Sequence, residues 1–148
     1  MNRFNLRVYG ILINDRNEVL LSRERRNGHE FTKFPGGGLE FGEGIKDCLQ
    51  REFREELDID IAAGELFYVT DFFQQSAFHK DHQLISFYYT VTYPDWQLLP
   101  IEELKAGTGD QETFFWVPVQ ELTEELVTFP VDKVVVGRLA DHALPSPD

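Results

Sequence analysis

At 148 residues, the chain has room for one core. Its formal net charge of -12 and pI near 4.7 make it repel polyanions, so long nucleic acids and anionic membrane surfaces are excluded as expected partners. Hydrophobic residues at 42% and aromatic residues at 14%, mostly Phe, exclude a disordered chain. Cys48 is the only cysteine, which excludes an internal disulfide, a paired-thiol redox motif and a cysteine-rich zinc site, and points to a reducing compartment.

Met1 to Gly10 lacks the continuous apolar run of a signal peptide, and no later segment reads as a membrane span, so a cytoplasmic monomer or homodimer with no membrane partner is expected. Arg7 to Asn14 and Glu18 to Arg23, separated by Asp15-Arg16-Asn17, predict a β-hairpin. Glu24 to Lys33 is polar and reads as a loop, and no regular element is expected through Gly36-Gly37-Gly38. From Gly44 onward Ile45, Cys48, Leu49, Phe53 and Leu57 recur at helical spacing and form one apolar stripe. Ile59 to Val69 predicts a bent or broken strand, and Gln83 to Tyr93 the strongest strand of the chain. Pro94 to Asp110 is expected to be a mobile surface loop. Thr113 to Val117 predicts a strand, Gln120 to Leu126 a short helix and Val131 to Leu144 an amphipathic helix. Alternation of strands and helices favours an α/β sandwich, a mixed sheet covered by helices on both faces.

Chemistry concentrates between residues 36 and 59. Glu52, Glu55 and Glu56 are three and four residues apart, so a helix puts all three carboxylates on neighbouring positions of one face. Like charges at that spacing repel and call for a cation among them. Hard oxygen ligands suit Mg2+ or Mn2+, which also accept phosphate oxygens; surplus surface glutamates are the bland alternative. The preceding glycines let backbone approach a ligand, yet they lack the lysine and hydroxyl residue of a Walker-type loop, and no EF-hand pattern is present.

These residues stand at the intervals G-x5-E-x7-R-E-U-x-E-E-x-G-U, where U is bulky and apolar. Gly37 is followed by Glu43, then Arg51-Glu52-Phe53, Glu55-Glu56 and Ile59. The segment resembles the box of the Nudix hydrolases, with Asp58 where that family has glycine. Asp tolerates a left-handed conformation, so a cost of about 1 kcal/mol is expected there and not a lost site.

The resemblance implies a Nudix-like α/β/α sandwich with a mixed β-sheet between helices, a single domain over residues 1–144 and a short tail at 145–148. It further implies Mg2+-dependent hydrolysis of a phosphoanhydride in a nucleoside diphosphate linked to another moiety, a small phosphorylated substrate. Mn2+ is a possible substitute. Under it Glu52, Glu55, Glu56 and the carbonyl of Gly36 hold metal, while Gly37, Glu43 and Arg51 support the site. The general base is Glu52 or Glu55 in the box, or Asp110 or Glu112 on a later loop, where plain solvated charges are the favoured alternative. Arg23, Arg25 and Arg26 could supply a local positive patch, Arg23 and Arg25 above all, or form a solvated turn. Phe72, Phe73 and Phe78 could stack on a base, although core packing is expected for most of them; His79 and His82 are assigned no metal role. The alternative is a non-catalytic module that senses a nucleotide or binds a partner.

Overall fold

The computed structural model describes residues 1–141. In chain order its elements are β1 (Arg3–Leu12), β2 (Glu18–Arg26), β3 (His29–Lys33), β4 (Gly36–Gly38), α1 (Ile45–Leu57), β5 (Ala62–Val69), β6 (His82–Thr92), β7 (Gln111–Pro118) and α2 (Pro130–Asp141), with short 3-10 turns after β6 and β7. They form two compact units, one from Met1–Leu12 and Phe34–Leu99, the other from Ile13–Lys33 and the described residues from Pro100 onward. The end of the expected C-terminal helix at Leu144 and the expected tail at 145–148 lie outside the described residues.

The first unit carries a four-stranded mixed sheet in the order β4-β1-β6-β5. Strand β1 runs parallel to β6 over Arg3 to Leu12 and antiparallel to β4, where Val8 stands opposite Gly37. Helix α1 packs on β1, β4 and β5 through Cys48, Leu49, Phe53 and Leu57. Gly10 makes this approach possible, since a Cβ there would lie 2.7 Å from Phe53 Cε2 and 3.4 Å from Leu49 Cδ1. Full burial of such side chains contributes about 1.5–3 kcal/mol each. At its start the Asp47 carboxylate accepts from the Gly44 N–H at 3.1 Å. The helix ends at Asp58, in the left-handed conformation (φ 56°, ψ 43°), whose N–H donates to the Arg54 carbonyl at 3.0 Å.

The second unit holds an antiparallel three-stranded sheet, β3-β2-β7. Leu20, Leu21, Phe114 and Val117 are buried on its strands, and Val131, Val135, Val136 and Leu139 on α2. Pro130 opens that helix at a position where its missing N–H costs nothing.

The α/β class and the mixed sheet are as expected, with the strands shared between two sheets. Four local expectations are corrected. The expected hairpin partners separate: β1 and β2 belong to different sheets, and the Asn14–Glu18 turn between them is closed by an isolated Ile13–Val19 bridge. The polar stretch from Glu24 to Lys33 is mostly strand, folded back at Asn27-Gly28, whose φ values of 52° and 79° suit a tight hairpin turn. Gly36–Gly38 is itself a strand, because β1 offers its backbone groups partners. The short helix expected over Gln120 to Leu126 is a pair of 3-10 turns, Val119–Glu121 and Glu124–Leu126. Among the described residues no helix is long and apolar enough to cross a membrane.

Candidate active site

Within the first unit the loop before α1 is tied to the helix by Arg51. Its Nε and Nη2 donate to the two Glu43 carboxylate oxygens at 2.9 and 2.8 Å, and Nη2 also donates to the Gly38 carbonyl at 2.9 Å. This bidentate contact holds the Glu43 carboxyl down at about 2, helped by the Glu40 N–H, and the Glu43 carboxylate in turn raises the pKa of Arg51. Cys48 is buried beside the pair, and burial, then the neighbouring Glu43, push its thiol up to about 12.

The remaining nitrogen, Arg51 Nη1, faces three carboxylates: Glu52 at 3.1 Å, Glu55 at 3.2 Å and Glu40 at 3.7 Å. Since Glu43 and Gly38 already anchor the guanidinium, Glu52 and Glu55 can leave Nη1 without undoing the brace. Gly37 shows why a glycine stands opposite the helix. A Cβ at this position would lie 2.5–2.6 Å from all three carboxyl atoms of Glu52, so the Glu52 side chain, 12% exposed, occupies the room the glycine leaves. Gly36 adopts φ 148°, and a Cβ there would run into the Val8 carbonyl.

Glu55 is exposed on the surface of α1 and Glu56 half-buried one residue later. As the side chains stand, no three His, Cys, Asp or Glu groups among the described residues converge to hold a metal. The donor set nevertheless fits a hard divalent cation: carboxylates on consecutive turns of one helix, one cradled by a glycine, with a guanidinium already drawn among them.

Arg7 is a candidate that sequence reasoning passed over. It lies in the interior of β1 opposite Gly38, its Nε donates to the Tyr9 hydroxyl at 3.1 Å, and its Nη1 fills the space beside Gly38. Burial opposes its charge, yet Tyr9 and the nearby Glu52 more than offset this and raise its pKa. The signal available was a cation in mid-strand, between Leu6 and Val8.

The other candidates belong to the second unit and are tied within it. Arg23 lies over the Phe115 ring at 4.6 Å and donates to Thr32 Oγ1 at 3.4 Å. Arg25 is 6% exposed and donates to the carbonyls of Gly109 and Lys105 at 2.7 and 2.8 Å. Asp110 accepts from the Asn27 N–H at 3.0 Å, while Glu112 accepts from Ser22 Oγ at 2.5 Å and pairs with Lys33 at 3.4 Å. One expectation is corrected in the first unit: Phe72, Phe73 and Phe78 are 39%, 70% and 52% exposed, not core residues, because the irregular stretch between β5 and β6 turns them outward.

A family model described as the NUDIX domain matches residues 3–136 of the chain. The RNA pyrophosphohydrolase of Acinetobacter baylyi is 45% identical over 49 residues, 33% of this chain and 28% of that protein. The protein of the same name from Legionella pneumophila strain Corby is 40% identical over 57 residues, 38% of this chain and 31% of that protein. The chain thus matches less than a third of the length of these relatives. Among solved structures, the E. coli ORF135 protein superposes with a TM-score of 0.70 at 20% identity, covering 99% of this chain and 96% of that one. A MutT protein from Methanosarcina mazei also gives 0.70, at 18% identity and 97% and 98% coverage.

Proposed function

Since the chain belongs to the NUDIX domain family, we propose that it is a divalent-cation-dependent hydrolase that cleaves the pyrophosphate bond of a nucleoside diphosphate linked to another moiety. The observation that carries this reading is the cradling of the Glu52 carboxylate against Gly37, beside Glu55 and Glu56 on one helix face braced by Arg51 and Glu43. Family membership and the names of the partial relatives support the bond type.

In this reading Glu52, Glu55, Glu56 and the Gly36 carbonyl hold Mg2+, or Mn2+ in its place. When bound, such an ion neutralises phosphate charge and lowers the pKa of a coordinated water. Gly37 gives Glu52 its room, and the Glu43–Arg51 brace fixes the loop on the helix so that the carboxylates keep one geometry. Glu55, exposed and hydrogen-bonded to Arg51 Nη1, is the group that takes the proton of the attacking water. Arg7, raised in pKa and set between Tyr9 and Gly38, binds a substrate phosphate oxygen. We assign Arg25, Asp110 and Glu112 to holding the second unit together and leave Arg23 for a substrate contact.

The test is a panel of nucleoside triphosphates, nucleotide sugars, ADP-ribose, dinucleoside polyphosphates and 5′-triphosphorylated RNA, assayed with and without Mg2+, with Glu56→Gln as the blank. Mg2+-dependent turnover of at least one compound, lost in the variant, is expected. Turnover of none, or equal turnover by the variant, overturns the reading.

A further inference from the structure

A pocket lies at the start of β1, away from the carboxylates. Asn2, Arg3, Phe4, Phe73, Gln75, Lys80, Asp81, His82 and Gln83 enclose about 290 Å³, all within the first unit. That volume is at the small end of small-molecule sites, roughly 300–1,000 Å³. Arg3 and Arg7 are four residues apart on β1, so at about 3.3 Å per residue the pocket starts roughly 13 Å from the Arg7 position beside Gly38.

Its lining departs from the rest of the molecule. In a chain of net charge -12, Arg3, Lys80 and His82 gather at one place, and the acid among them, Asp81, is already engaged by the Met1 amino group at 3.5 Å and lies 3.9 Å from His82 Nε2. Two aromatic rings, Phe4 at 64% and Phe73 at 70% exposure, stand at its walls where burial would be expected. The His82 ring lies 4.5 Å from that of His79, with its Nε2 toward Asp81, and so forms the floor beneath these groups. Exposed rings supply stacking faces, Arg3 and Lys80 supply a phosphate contact, and the side-chain amides of Asn2 and Gln83 supply an edge for hydrogen bonding.

We propose that this pocket binds a nucleotide, with its base against Phe4 or Phe73 and its phosphate at Arg3 and Lys80. The ligand is either a free mononucleotide or a nucleotide within an oligonucleotide whose 5′ end lies at the carboxylates. The second source alone rests on the hydrolase reading. Stacked nucleotides rise about 3.4 Å each, so the first few residues of such a strand span the separation.

Titration calorimetry of the full chain with AMP, and with ribose 5-phosphate as the ligand lacking a base, tests the site without turnover. Phe73→Ala and Lys80→Glu alter exposed side chains. AMP is expected to bind about tenfold more tightly than ribose 5-phosphate, and each variant to weaken AMP by about tenfold. AMP binding that is absent, or equal in wild type and both variants, overturns the proposal. If AMP binds as expected while no compound in the hydrolysis panel is turned over, the pocket stands and the hydrolase reading falls. With a 5′-triphosphorylated hexaribonucleotide as substrate, KM raised about tenfold in the variants at unchanged kcat identifies the oligonucleotide as the source. Unchanged KM identifies the free mononucleotide.

Discussion

At the scale of single residues, the site depends on two contacts that differ in kind. Gly37 has an ordinary backbone conformation, so what it contributes is room: a Cβ would lie 2.5–2.6 Å from the Glu52 carboxyl group. Gly37→Ala is therefore expected to displace the end of a flexible side chain, leaving thermal stability nearly unchanged while kcat/KM falls by about 100-fold, as a misplacement near 1 Å can do. Melting and kinetics on the same preparation check this, and wild-type kinetics in the variant would remove the cradle from the argument. Glu43 acts through charge. Its carboxyl sits at about 2, below its ordinary 4.5, first because Arg51 donates to it. A depressed carboxylate stabilises the fold above its unfolded pKa, and that contribution is lost as pH falls from about 4.5 to about 2. Glu43→Gln is accordingly expected to lower the melting temperature at neutral pH, with the gap from wild type closing across that window in thermal scans. The spacing of Glu43, Arg51 and Glu52 made the loop-helix device legible in the sequence. Arg7 was not, because its meaning comes from Gly38 across the strand pair and from Glu52, far along the chain.

At the scale of elements, legibility followed the range of the interactions. Helix α1 was readable because its apolar stripe and its stop are local, and Asp58 takes the left-handed conformation expected of it. Glycine pays no Cβ penalty in that conformation, so Asp58→Gly is expected to stabilise the protein by about 1 kcal/mol. For a chain of this length that is a rise in melting temperature of about 2–4 °C. No rise, with the helix intact by circular dichroism, would mean that the aspartate side chain offsets its backbone cost. Strand pairing was hidden. The Asn14–Glu18 turn has the local chemistry of a hairpin, with Asn14 Oδ1 accepting from the N–H groups of Arg16 and Glu18. Yet β1 finds β4 and β6, and β2 finds β3 and β7, because apolar strands of similar pattern do not encode which distant strand completes them. Asn27-Gly28 was the reverse case, a strong turn signal inside a stretch too polar to read as strand.

At the scale of the whole molecule, net charge and family membership bear on the same question. The family match runs over residues 3–136, and so draws on segments of both compact units, while the proposed metal ligands all lie in the first. A chain of net charge -12 attracts any divalent cation over its surface, so stabilisation by Mg2+ alone does not identify a site. Two controls separate the effects. Surface attraction is screened at a Debye length of about 3 Å in 1 M salt, whereas a cation held directly by several carboxylates is screened much less. A specific site is also lost with one ligand, while removing one charge of this excess scarcely alters the surface field. Binding to the folded state alone contributes about 2.7 kcal/mol at a hundredfold excess over Kd. The expected result is therefore a Mg2+-dependent rise in melting temperature that persists in 1 M NaCl for the wild type and disappears in Glu56→Gln. An equal rise in both proteins, or one abolished by salt in the wild type, would assign the effect to the acidic surface and remove Glu56 from the ligand set.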